Sequence, residues 1–290
     1  MPLEEICLSI LASGFAKSFS GILSQVPQLP LNDNIQAALT VLRPLGQHLT
    51  KLPVNVRLGK MLILASLFNC IDPLLTITAS LSSQSPFSTF FNDAAVAKAK
   101  QRAFQQPESD FMTFCNVWDQ YSKAKQAGSS AGRKFCNENY LTHVSLCEIE
   151  NTRRQLVDLL STIGFLDRNM VTGKDRRIDE QKLKSCSFNR QSKKLELVHA
   201  IIAAGLYPNV ARLDQAPGCD YTMFHRDERL FFHRTSVNAS KKRYSTAEKW
   251  VVYDEKFGTL KRTSVSTTCF IHPLALILFG GKVVVKHIER

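Results

Sequence analysis

The chain has 290 residues, 44% hydrophobic and 21% charged, with a formal net charge of +12. That is enough apolar material for a buried core divided among two or three small domains. Its apolar runs are too broken for a membrane span: Met61–Leu81 is interrupted by Asn69, Cys70, Asp72 and Pro73.

The first legible element lies in residues 45–87. A turn at Leu52-Pro53 precedes a helix predicted from about Val56, with Leu58, Met61, Leu62, Ala65, Phe68 and Ile71 at helical spacing. Asp72-Pro73 is expected to stop that helix and start the next, Asp72 capping free N–H groups and Pro73 filling a position that needs none. Leu74, Leu75, Ile77, Thr78 and Leu81 continue a buried hairpin that ends at Ser85-Pro86-Phe87. A helix over Ala94–Gln106 follows, then one over Glu108–Ala127 with Phe111, Phe114, Trp118 and Tyr121 on one stripe. Such a stripe is either core or a base-stacking surface. Gly128–Gly132 reads as a flexible loop, and Gly132-Arg133-Lys134-Phe135 does not complete a phosphate loop. Ser145-x-x-Glu148 reads as a capping box before a helix that buries Ile149, Leu156, Leu159 and Ile163 and stops at Gly164.

Residues 167–194 hold nine Lys+Arg against four Asp+Glu and are expected to be loosely attached. Beyond them, Leu195–Leu206 reads as a short helix ended by Gly205. Strand-like pieces fall near Val210–Leu213, Tyr221–His225, Leu230–His233, Trp250–Tyr253, Cys269–Leu278 and Lys282–His287. Charge is concentrated in this part. Residues 1–170 carry 15 Lys+Arg and 13 Asp+Glu, or +2, whereas 171–290 carry 22 and 12, or +10. The excess either faces phosphate or merely solubilises the surface.

The order of several words is similar to one known arrangement. LGQHLTKLPVNVRLGKML, CIDPLLTITASLS and SPF resemble the helicase-associated ratchet domain of DEAH/RHA-type RNA helicases. MPLEEICLSI at the start, LELVHAIIAAGLYPNVA (195–211), HRTSVN (His233–Asn238), WVVYDEKFGT and IHPLALILFGG (Ile271–Gly281) are similar to further words of that family in the same order. HRTSVN departs from the family word by one proline. The resemblance implies an α+β, multi-domain chain: a winged-helix segment (1–50), a helical ratchet bundle (51–166), a basic linker (167–194) and an OB-type β-barrel (195–290). The winged helix is expected to be incomplete, because IQAALTVLR runs straight into PLGQHLT. The barrel is expected to be cut short at VKHIER.

The resemblance also implies a site and partners. In related helicases the ratchet helices line a single-stranded RNA channel, which makes Arg133, Lys134, Asn139 and Arg154 candidate RNA contacts. For Asn139 the alternative is a cap on a local turn, and for the cations, Arg153 included, a solvated surface. His233, Ser236 and Asn238 fall on a corner beside the RNA path, and Lys241, Lys242, Arg243 and Lys261 lie in basic loops of the barrel. Tyr244, Trp250, Tyr253 and Phe257 are candidate stacking platforms, or core and rim residues. His225 and His233 alone are too few for a metal site, and the eight cysteines form no C-x-x-C pair, so neither zinc nor a disulfide framework is expected.

No phosphate loop, Asp-Glu-Ala-His word or arginine-finger motif occurs, so no catalytic residue and no cofactor is assigned here. ATP and Mg²⁺ are expected in a parent helicase, of which this chain is read as a C-terminal fragment. The expected partners are single-stranded RNA, the parent's RecA-like motor domains and glycine-rich-patch activator proteins, with no membrane. The alternative is a stand-alone, non-enzymatic RNA- or protein-binding module. With no secretion signal and no disulfide pattern, the expected location is intracellular, cytoplasmic or nuclear.

Overall fold

The computed structural model describes residues 53–87, 94–167, 170–172, 177–214, 221–239, 250–259 and 262–279. The expected winged-helix segment and the Lys282–His287 strand lie outside them. The ratchet bundle comprises α1 (Val56–Leu67), α2 (Ile71–Leu81), α3 (Ala94–Arg102), α4 (Asp110–Gln126), α5 (Ser129–Glu138) and α6 (His143–Thr162). Then come a short ribbon, β1 (Val171–Thr172) with β2 (Arg177–Ile178), a one-turn-plus helix α7 (Glu180–Ser185), and α8 (Leu195–Leu206). Five strands follow, β3 (Val210–Asp214), β4 (Thr222–His225), β5 (Glu228–Phe232), β6 (Trp250–Thr259) and β7 (Arg262–Ile271), and then α9 (Pro273–Phe279).

The predicted hairpin is α1 and α2, but the turn between them forms differently. Asn69 takes a positive φ of 55° just past the α1 C-cap. Cys70 N–H donates to the Ala65 carbonyl at 2.9 Å and Asn69 N–H to that of Ser66 at 3.2 Å. This is the left-handed helix stop, in which Asn is the usual substitute for Gly. Asp72 therefore does not end α1 or cap α2; it sits in the first turn of α2, and its carboxylate faces α6. The same stop ends α6, with Gly164 at φ 87° and Phe165 N–H on the Leu160 carbonyl at 2.8 Å. It also ends α5, where Tyr140 accepts the strained conformation at φ 55°.

Three other local expectations are corrected. Residues 129–132 are the first turn of α5 and not a loop, and Gly132 lets that helix lie against the Tyr121 ring. Ser145 is buried inside α6, whose N-cap is Thr142. Gly205 is helical; a Cβ there would come within 2.8 Å of Met61 Cβ, so it permits α8 to touch α1 closely and does not stop a helix.

The aromatic stripe of α4 is core: Phe111, Trp118 and Tyr121 are buried and Phe114 is half-buried. Residues 177–194, expected to be loosely attached, are packed. Leu183 is fully buried, the Asn189 side chain accepts from Asp72 N–H at 3.0 Å, and Gln191 N–H donates to the Asn69 carbonyl at 2.8 Å. The apolar core runs without a break from α1 and α2 through Leu183 and α8 to Val252, Cys269 and Ile271 on the outer side of the barrel. A second apolar cluster lies within the bundle around Phe104, Trp118, Tyr121 and Ile149, and a third fills the barrel interior with Ala211, Leu213, Met223, Leu230, Phe232, Val251, Tyr253, Val265 and Phe270.

The barrel closes in the order β3-β4-β5-β7-β6, with β6 pairing back to β3 and a single parallel pair, β5 with β7. That five-stranded closed connectivity is an OB-type barrel. β6 and β7 form a long hairpin, in register from Trp250↔Ile271 to Thr259↔Arg262. The strand expected at Cys269–Leu278 ends at Ile271, and the apolar residues beyond it form α9.

Candidate nucleic-acid interface

The barrel is joined to the bundle at one buried carboxylate. β5 ends at Phe232, and His233 N–H closes the pairing on the Val265 carbonyl at 2.8 Å. Beyond that point β7 has a free edge, and the start of α4 takes it. Phe270 N–H donates to the Glu108 carbonyl at 3.0 Å, and Thr268 N–H donates to Asp110 Oδ2 at 2.8 Å. Ser236 Oγ donates to the same oxygen at 2.6 Å, as does Thr268 Oγ1 at 3.1 Å, while Val237 N–H donates to Oδ1 at 2.8 Å. Asn238 Nδ2 donates to Thr268 Oγ1 at 2.9 Å. Burial pushes the Asp110 carboxyl above its usual range, against the downward pull of these four donors. Asp110 lies in the first turn of α4, behind an Ser109 N-cap whose side chain accepts from Met112 N–H, so its charge also meets the positive end of the helix.

This geometry places two of the sequence-predicted contacts inside the junction. Ser236 is 7% exposed and Asn238 0%, and the Asp110–Thr268 network holds both side chains, so neither presents a donor to a ligand in this arrangement. His233 is different. It is half-buried, its Nδ1 is hydrogen-bonded to Thr235 Oγ1 at 2.8 Å, and its ring lies 5.7 Å from that of Phe257. Among the named platforms Tyr253 is buried in the barrel, Trp250 packs against the main core, and Phe257 is 48% exposed. Tyr244 and the basic residues Lys241, Lys242, Arg243 and Lys261 lie outside the described residues.

On the ratchet side, Arg133 and Lys134 are exposed on α5, Lys134 within 3.9 Å of Glu138 one turn on. Asn139 is the α5 C-cap, and its Nδ2 donates to the Phe135 carbonyl at 2.8 Å, so the local-turn reading holds for that donor. Arg154 is half-buried on α6. Arg153 is not on a solvated face. It is fully buried, with Nη2 at 2.8 Å from Asp72 Oδ1 and 3.2 Å from Glu180 Oε2, Nη1 on the Asp72 carbonyl and Thr76 hydroxyl, and its guanidinium 4.9 Å from the Trp118 ring. Burial works against this cation, but Glu180 and Asp72 outweigh it and raise its pKa.

Sequence reasoning passed over Asp110 and misplaced Arg153. The only local signal at Asp110 is Ser-Asp before an apolar helix, which reads as an ordinary N-terminus. Among the described residues no group of His, Cys, Asp and Glu could hold a metal ion, and no helix is long and apolar enough to cross a membrane.

Comparison with known proteins agrees with this architecture. Residues 55–114 match the family described as helicase associated domain (HA2), ratchet-like, and residues 198–283 match the oligonucleotide/oligosaccharide-binding (OB)-fold family. The chain is 31% identical over 309 aligned residues to human "ATP-dependent RNA helicase DHX29", covering 100% of this chain and 22% of the relative. It is 34% identical to "DExH-box ATP-dependent RNA helicase DExH1" of Arabidopsis thaliana, covering 98% of this chain and 28% of the relative. It is 29% identical to bovine "ATP-dependent DNA/RNA helicase DHX36", again covering 98% and 28%. The chain thus spans roughly a quarter of the length of these curated relatives.

Proposed function

We propose a function from membership: the chain belongs to the DEAH/RHA-type RNA helicase family, whose ratchet-like and OB-fold accessory domains it carries. It serves as the RNA-binding accessory region of an ATP-dependent helicase. It grips single-stranded RNA and couples closure of the motor domains to movement along the strand. ATP hydrolysis, with its ATP and Mg²⁺, belongs to RecA-like domains of the parent, because this chain carries none of the motifs that hold nucleotide phosphates. Its partners are single-stranded RNA, those motor domains, and glycine-rich-patch activators; its location is the cytoplasm or nucleus.

The observation that carries this reading is the Asp110 junction. Coupling requires that a push on the bundle reach the barrel without slack, and four donors from two barrel segments converge on one carboxylate of the bundle. The grip itself rests on charge: the part of the chain from 171 onward carries +10, and the barrel topology is one that binds single strands along a cationic groove. Arg133, Lys134 and Arg154 of the ratchet, with Lys241, Lys242, Arg243 and Lys261 of the barrel, are the residues assigned to phosphate.

The test is binding of a fluorescent single-stranded RNA at several salt concentrations, with ATPase activity followed in the same sample. Neutralising Lys241, Lys242 and Arg243 together should weaken binding and reduce the slope of log K against log salt by about 2, three contacts at ~0.7 each. No ATPase activity is expected from this chain. A triple variant with the wild-type slope refutes the phosphate assignment in the barrel.

A further inference from the structure

Beyond the basic loops, we infer that the outer face of β5, β7 and β6 is a base-stacking platform for single-stranded nucleic acid, built from Phe231, Phe257 and His233 with Arg229 and Arg262. The inference rests on the RNA-binding reading above and adds a site to it. Leu230, Phe232 and Val265 point into the barrel, so their neighbours Phe231 and Ser264 point out. Phe231 pairs with Ser264 across the parallel ladder, and Phe257 pairs with the same Ser264 across the hairpin. Two aromatic rings therefore flank a small hydroxyl side chain in one row across three strands. His233 extends the row, its ring 5.7 Å from that of Phe257.

Cations border the row. The Arg262 guanidinium lies 4.2 Å from the Phe231 ring centroid and that of Arg229 5.1 Å. Both arginines are exposed, Phe231 is half-buried and Phe257 is about half exposed. Of the acidic groups around the row, Glu228 is paired with Lys256, while Glu255, two residues before Phe257 on β6, and Asp227 on the β4–β5 turn are exposed. An exposed Phe257 ring, a half-buried Phe231 ring with guanidiniums over it and a small residue between the two suit a planar, electron-rich base attached to phosphate. Sequence-independent stacking of this kind complements phosphate contacts, because each base has a flat face and each nucleotide a charge.

The test compares two fluorescent oligomers of equal length, a single-stranded RNA and an abasic sugar-phosphate strand, on the full chain. Phe257→Ala, a surface change, and Arg262→Gln are measured beside the wild type. The wild type should prefer the strand with bases, and Phe257→Ala should weaken that strand alone by about fivefold or more. Binding of the abasic strand and the salt slope should not move with Phe257→Ala, while Arg262→Gln should weaken the strand with bases more than the abasic one. A wild type that binds both strands equally, or a Phe257→Ala variant indistinguishable from it, overturns the platform while leaving phosphate binding intact, and gives this face to a protein partner. A wild type that binds neither strand overturns the RNA-binding reading itself, and the platform with it.

Discussion

Replacing Arg153 with Met should unfold the ratchet bundle far more readily than its sequence position suggests. The guanidinium is wholly buried, and the carboxylates it holds are largely buried too, their side chains 15% exposed for Asp72 and 24% for Glu180. Met fills much of the same volume and leaves both carboxylates without a cation. Breaking a buried pair in this way costs about 3–5 kcal/mol, because an uncompensated charge remains in a poorly hydrated site. The loss of the Thr76 and Asp72 carbonyl bonds and of the Trp118 contact belongs to the same figure. Urea unfolding of the variant should show a lower midpoint at an unchanged slope. A triple variant, Arg153→Met with Asp72→Asn and Glu180→Gln, should regain more than half of the loss, since two neutral amides no longer need a cation. The reasoning fails if Arg153→Met stays within about 1 kcal/mol of the wild type, or if the triple variant is no more stable than the single one.

Asp110→Asn should destabilise by about 1–3 kcal/mol, because Thr268 N–H and Val237 N–H both need an acceptor and either amide orientation turns an NH₂ on one of them. Hydrogen exchange should speed up at whichever amide is orphaned, and unchanged protection at both would refute the network. Gly205→Ala should lower the melting temperature through overpacking of about 1–3 kcal/mol against Met61 Cβ and the Arg57 carbonyl; an equal or higher value would mean that α1 and α8 are not in close contact. Two groups should oppose each other in acid. Burial lowers His199 from 6.5 to about 4, so its contribution is full above 6.5 and is lost as pH falls towards 4. Burial, helped by Glu255, raises Asp254 from 3.8 to about 6, so its contribution is full below 3.8 and is lost as pH rises through 6. Between pH 4 and 6 Asp254→Asn should therefore lose stability on acidification more steeply than the wild type, and His199→Gln less steeply; three superimposable profiles would sink both assignments.

What could be read from the sequence was what repeats locally. The apolar spacing of Leu58, Met61, Leu62 and Ala65 announces a helix, and the strands of the barrel announce themselves by short apolar runs between polar turns. Errors arose where local chemistry is ambiguous. Gly128-Ser-Ser-Ala-Gly132 has the composition of a loop, yet packing of Gly132 on Tyr121 holds most of it in a helix. The apolar run after Ile271 suits strand or helix equally; Pro273 fits a first helical turn, and the structure makes α9. The partners of Arg153 lie 81 and 27 residues away, and the donors to Asp110 between 126 and 158 residues away. No periodicity records a pairing at such a distance.

The same distances hide the internal bonds that several of these polar residues make. A basic or hydroxyl side chain looks available in a sequence until its partner is known. Arg153 binds Glu180, and Lys184 binds Asp119 at 2.8 Å, so two ion pairs fasten α7 to the bundle and make the basic segment part of it. Ser236 and Asn238 are drawn in by Asp110 and Thr268, so the corner after β5 belongs to the junction. Many cations remain exposed among the described residues, and four of them bear on the proposed grip. Arg133 and Lys134 stand on one end of the bundle, while Arg229 and Arg262 stand over Phe231 on the barrel. A strand held at both places would feel any shift of bundle against barrel, and the buried Asp110 junction resists that shift. Loosening the junction with Asp110→Asn should therefore weaken RNA binding even though Asp110 touches no solvent-facing group. Wild-type affinity in a variant with measurably faster Thr268 or Val237 exchange would separate grip from coupling.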